Sequence, residues 1–235
     1  MAPLYSLYAD VMEIAYPAKT KLAASSAERL QVVLGSIVIL RDQLPPAALG
    51  ALLHLKEGDV RITLRRLHSV INVPDVSAGQ DVIRLIHPSF PDFLLDPFCL
   101  SDPRSARFAV DLQQQHTVVA KHCLQVLCHL RRDMCHIEDR HLPNSEIQNL
   151  EELKTTYLPL QLQYACKHWT HHLCSAVVDP DITRLVEDFC QTRLLMWLEC
   201  LSLIGSMDSA VEALQDAMRA LKVSKSPMFC ILVGI

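Results

Sequence analysis

Residues 83–95 read Ile-Arg-Leu-Ile-His-Pro-Ser-Phe-Pro-Asp-Phe-Leu-Leu. Ile83, Leu85 and Ile86 surround Arg84 and meet His87, after which Pro88 resets the backbone and Phe90, Phe93 and Leu94 recur at helical spacing. The stretch reads as a buried strand handing over to a short helix, with His87 at the joint. A histidine there is either a core residue whose ring bonds a nearby carbonyl, or a sensor whose ring nitrogens face a ligand. Asp92, on the following helix, either pairs with a nearby base or simply caps and solvates.

Upstream, the chain reads as three helices and a wing. Ser25 and Glu28 fit a capping box ahead of an almost solidly apolar helix over 27–41. Pro46 sits well as the first residue of a short helix over 47–53, and a third helix spans 58–70. In that third helix Val60, Leu64, Leu67 and Ile71 point inward, while Arg61, Arg65 and His68 share another face. Residues 72–80, with Pro74, Ser77 and Gly79, form an extended run and a turn, and 82–86 returns as a strand, completing a small β wing. Before all of this, Leu4, Leu7, Tyr8, Val11, Met12 and Ala15 make one apolar stripe on a short helix. That stripe is expected to belong to the end of a preceding domain, so that residues 1–24 are a remnant helix and linker. The winged-helix-like module then covers 25–96.

Downstream, Pro97 and Pro103 mark 96–105 as a module boundary. One long helix over 106–137, or two broken near His116, carries Val119, Cys123, Leu127, Leu130, Met134 and Ile137 as a packing seam. A loop at 141–144 and a capping box of Ser145 with Gln148 precede a helix over 147–154. Further helices are read over 158–174 and 182–204, the latter capped by Asp179-Pro180 and ended by Gly205. A last one opens at Ser209 and Glu212, stepping through Val211, Leu214, Met218 and Leu221. Trp169 reads as packed in a helical hairpin, with His168, His171 and His172 solvated on the far side rather than holding a ligand. The fold class is therefore mainly α, a winged-helix module with a small β wing followed over 105–222 by an antiparallel helical bundle or superhelical arm. Residues 223–235 form an apolar tail, too short to cross a bilayer. Such a tail in a helical array suggests a chain that stops where relatives continue.

The order of three helices, two short extended runs and then His87-Pro-Ser-Phe-x-Asp-Phe-Leu94 resembles the winged-helix module that follows the nucleotide-binding core in NACHT-type STAND NTPases, especially the large fungal ones. Tyr164-Ala-Cys-x-x-Trp169 and Leu194-Leu-x-Trp-Leu-Glu-x-Leu-Ser-Leu203 look like features of the helical region that comes next in those proteins. The resemblance implies that His87 contacts bound ADP and holds a switch closed when a nucleotide-binding domain is supplied. It implies ADP or ATP as the cofactor of a complete relative, and as partner the nucleotide-binding domain of such a relative or a missing N-terminal region of this one. The biology implied is self/non-self recognition or defence signalling. The chain departs from the family at the phosphate-binding loop. None of its six glycines, at 35, 50, 58, 79, 205 and 234, begins GxxxxGK[ST], so ATP hydrolysis by this chain alone is not expected.

Composition narrows the classes further. Half of the 235 residues are apolar, which suffices for a substantial core, and six glycines with few aromatics favour helices over strands. Nine cysteines with no CxxC pair resemble neither a disulfide framework nor a zinc site, and they point to a reducing compartment. Cys123, Cys128, His129, Cys135 and His136 place no i, i+4 ligand pair on one face, so no metal is expected. No signal sequence and no membrane-length apolar run appear, and a cytoplasmic location is expected. GxSxG, HExxH and GxGxxG are all absent, although scattered Cys and His could still meet as a dyad. Hence a regulatory, non-catalytic interaction fragment is expected, with self-association through the 4–16 stripe. The alternative is a winged-helix nucleic-acid binder with a helical dimerisation extension, reading DNA through Arg61, Arg65 and His68. A net charge of −4 and the adjacent Glu57 and Asp59 make that basic stripe thin for phosphate neutralisation.

Overall fold

A computed structural model describes residues 2–17, 24–76, 81–137, 139 and 141–223. The expected linker at 18–23, the wing turn at 77–80 and the tail at 224–235 lie outside the described residues. The described chain is mainly helical, with one two-stranded antiparallel sheet. It divides into two compact units, 1–115 and 116–235. Among the described residues no helix is long and apolar enough to cross a membrane.

Unit one contains α1 (Ala2–Ala15), α2 (Ala24–Ile39), α3 (Pro46–Leu52), α4 (Glu57–Leu64), β1 (Ile71–Asn72), β2 (Arg84–Leu85), α5 (Ser89–Leu95) and α6 (Pro97–Ser101). Helix α3 starts on Pro46, whose fixed φ suits a first turn. Helix α2 already includes Ser25, so the expected capping box does not form there. Val60, Leu64, Leu67 and Ile71 are all buried, as the third helix's spacing requires. The last two follow α4, because the chain tightens to a 3₁₀ turn at Arg65–Leu67 and reaches β1. The strands pair Ile71 with Leu85 and Asn72 with Arg84. The expected buried strand is shorter and shallower than its sequence suggests: Ile83 is buried, donating its N–H to Leu44 O, but Ile86 is 56% exposed.

One face of helix α1 packs inside unit one. Tyr5 packs on Phe93 at 5.6 Å, Tyr8 on Phe90 at 5.3 Å, and Tyr16 on Phe108 at 5.9 Å between ring centroids. These aromatics rotate the buried face away from the expected stripe. Tyr5, Tyr8, Ala9, Met12, Ala15 and Tyr16 are buried, whereas Leu4 and Leu7 are exposed. The stretch read as a module boundary lies within this unit. Arg104 pairs with Asp10 and Asp102, and Arg107 with Glu13.

Helix α7 (Leu112–Leu127) starts later and ends sooner than the long helix expected over 106–137. Asp111 caps it by accepting from Gln114 N, and Gln115 on its first turn donates to Val32 O and Ser36 Oγ of unit one. Beyond Leu127 the backbone turns through positive φ at Asp133 and His136. Asp133 N is held by Glu199, and the Asp133 carboxylate accepts from Ile137 N. These bonds replace the helical ladder and remove Met134 and Ile137 from it.

The rest of unit two is α8 (Leu150–Tyr157), α9 (Leu160–Ser175), α10 (Pro180–Thr192), α11 (Leu194–Leu203) and α12 (Ala210–Val223). Helix α8 begins after Asn149, with φ +57°, instead of after a Ser145 cap. The helix read over 182–204 is two helices, broken at Arg193. Helices α11 and α12 pack on α9. The core is an aromatic triad, with Trp169 at 4.9 Å from Phe189 and 6.3 Å from Trp197, and the Trp197 indole donates to Cys166 O at 2.9 Å.

Candidate functional site

His87 follows β2 and precedes α5, the joint its sequence suggests. It is exposed, so the alternative of a core histidine does not hold. Its ring is nevertheless fixed. Ser89 N donates to His87 Nδ1 at 3.1 Å, and Ser89 Oγ lies 2.7 Å from the same nitrogen. Ser89 Oγ in turn lies 2.7 Å from the hydroxyl of Tyr8 on α1. A backbone N–H can only donate, so Nδ1 is the acceptor and the neutral ring carries its proton on Nε2. The consistent chain runs from Tyr8 O–H to Ser89 Oγ, from Ser89 O–H to Nδ1, and leaves Nε2–H without a hydrogen-bond partner among the described residues. The result is one donor on a braced ring at an exposed position, of the kind an oxygen acceptor such as a phosphate takes. Asp92 is exposed and caps nothing.

Of the basic stripe beside the wing, Arg61 is engaged internally. Arg61 Nε donates to Glu57 at 2.7 Å and its Nη1 to Pro74 O. Arg66 donates to Ala15 O and lies 6.0 Å from the Tyr16 ring. Arg65 and His68 are exposed.

In unit two the histidines of α9 are not a solvated fringe. His172 is fully buried, with its Nδ1 3.0 Å from Nδ1 of His116 on α7 and its Nε2 2.7 Å from the Tyr164 hydroxyl. His171 packs edge-on against both imidazoles, and His168 lies 4.8 Å from the Tyr164 ring. Burial, followed by the nearby His171, pushes the His116 imidazole below its ordinary value. Sequence reasoning missed this chain. The spacing of Tyr164 and His172, two turns apart on α9, was available, but His116 is contributed by another helix.

Among the described residues no exposed thiol is activated as a nucleophile. Burial pushes Cys99, Cys135 and Cys190 up to about 11, and raises Cys123 further. Cys200 is held low by the hydrogen bond from Cys166 Sγ, 3.5 Å away, but the pair is buried. Among the described residues no group of three or more His, Cys, Asp or Glu side chains could hold a metal ion. No family model matches the chain, and no curated protein or solved structure matches it.

Proposed function

We propose that this chain is a non-catalytic regulatory and protein-interaction region of a NACHT-type STAND NTPase, the arm that reads nucleotide state through His87. The observation that carries this reading is the braced, exposed His87 ring, whose Nε2–H is the kind of donor that contact with an ADP phosphate requires. The order α2, α3, α4, β1, β2 supports a winged-helix module, and α7 to α12 support an antiparallel helical arm behind it. The nucleotide itself would be held by the nucleotide-binding domain of a full-length relative, or by an N-terminal region of the same protein. A cytoplasmic setting suits the free thiols. Self-association has modest support in Leu7 and Ile14, which remain exposed on α1.

Nucleic-acid binding is the weaker reading, because Glu57 and the Pro74 carbonyl already occupy Arg61. The test mixes the full chain with the purified nucleotide-binding core of a fungal NACHT-type NTPase, with and without ADP. Association should depend on ADP. His87→Ala should weaken it by about tenfold or more, the loss of one hydrogen bond to a charged group, and His87→Gln, which keeps a donor, should restore part. Association indifferent to ADP or to His87→Ala would overturn the reading. Tight, steeply salt-dependent binding of duplex DNA that Arg65→Ala abolishes would replace it with the alternative.

A further inference from the structure

Cys166 on α9 and Cys200 on α11 meet inside unit two, where the Cys166 S–H donates to Cys200 Sγ at 3.5 Å. Both are buried, and their helices pack directly on each other. A disulfide is about 2.0 Å long, so the two sulfurs close by roughly 1.5 Å to make one. Trp197, one turn before Cys200 on α11, donates its indole N–H to Cys166 O at 2.9 Å, which brings the two backbones together at the level of the thiols. Burial raises the thiols of Cys123 and Cys135, whereas the hydrogen bond from Cys166 holds Cys200 low, so Cys200 is the sulfur that reaches the thiolate. An open cavity of about 270 Å³ is lined on α11 by Glu199, Ser202 and Leu203. It admits a solute little larger than water to the helix that carries Cys200.

We propose that Cys166 and Cys200 are a redox-active dithiol, which a small hydroperoxide closes to a disulfide that ties α9 to α11. The Cys200 thiolate gives an electron pair to one peroxide oxygen and the O–O bond breaks. The departing hydroxide takes up the proton that the Cys200 thiol released, forming water and leaving a sulfenic acid. The Cys166 sulfur then attacks the Cys200 sulfur, and the hydroxide expelled leaves with the Cys166 proton as a second water. Each sulfur has lost one electron, and the peroxide has taken both. Proximity selects the partner, since Cys166 stands at contact distance while the exposed Cys174 thiol donates to Asp216 O. In a reducing setting such a bridge is transient, and a dithiol reductant reopens it. The pair owes nothing to His87, which belongs to unit one.

The test uses the full chain in native buffer with one equivalent of hydrogen peroxide. Peptide mass mapping after alkylation should show Cys166 joined to Cys200 within one chain, at a rate independent of protein concentration, with two of the nine titratable thiols lost. Indole emission should fall at the same rate, because a disulfide beside Trp197 accepts an electron from the excited ring, and dithiothreitol should restore it. Cys200→Ser should abolish both changes, and Cys174→Ser should leave both as they are. Cys166 and Cys200 recovered unlinked after Cys174 has been oxidised would overturn the inference. So would Cys200 joined to Cys135 instead, and so would a link that forms only in urea. The mapping is read on the parent chain, so it decides the matter even if Cys200→Ser fails to fold.

Discussion

His116 and His172 face each other through their Nδ1 atoms at 3.0 Å, so one of the two nitrogens must be bare to accept from the other. Two imidazolium rings would oppose N–H to N–H, in a buried place where charge is costly. Burial, followed by the nearby His171, holds the His116 imidazole below the 6.5 of an unfolded chain. Between those two values the unfolded chain binds the extra proton, and stability falls as pH falls. Above about 6.5 this group makes no contribution to pH dependence. The urea midpoint of unit two, followed by tryptophan emission, should therefore be lower at mildly acidic than at neutral pH. His116→Asn, whose amide oxygen can still accept from His172, should flatten that decline. An unchanged decline in the variant would assign the effect to other groups.

At the scale of an element, α10 depends on Asp179. Its carboxylate caps Ile182 N at 2.9 Å and accepts from Lys121 Nζ on α7. Burial acts to raise this carboxyl, yet Lys121 and the backbone N–H groups outweigh it and hold it below the ordinary value. Asp179→Ala should cost about 0.5–2 kcal/mol, the usual range for losing a cap, whereas Asp179→Asn should lose less because it keeps the cap. Equal losses in chemical denaturation would mean that the ion pair, and not the cap, holds the helix. This cap was legible in the sequence because its signal is local. Pro46 and Gly205 were legible for the same reason. Gly205, with φ +69°, ends α11 by returning Ser206 N to Leu201 O and Gly205 N to Ser202 O. The break at Arg193 carried no glycine or proline, and the turn at Asp133 is held by Glu199, more than sixty positions away. The candidate site divides in the same way. His87 takes its partner from two residues on, whereas Tyr8 and the His116 to His172 contact join segments whose proximity no spacing rule announces.

At the scale of the molecule, each unit has its own aromatic core. Tyr5, Tyr8, Phe90 and Phe93 fill the first, and Trp169, Phe189 and Trp197 the second, while the division falls inside α7, between Gln115 and His116. Both tryptophans belong to unit two, so indole emission reports that unit, whereas far-ultraviolet circular dichroism reports the helices of both. Two separate cores predict two separable transitions, since cooperativity follows shared packing more than chain continuity. Phe93→Ala opens a cavity among fully buried rings and should cost unit one about 3–5 kcal/mol. In a urea titration it should bring forward an early loss of helical signal while the emission midpoint stays where it is in the parent chain. Phe189→Ala should do the reverse, moving emission early and leaving part of the helical signal in place. If either substitution shifts both signals together, the units unfold as one cooperative body. The continuous α7 would then couple them more strongly than their separate cores imply.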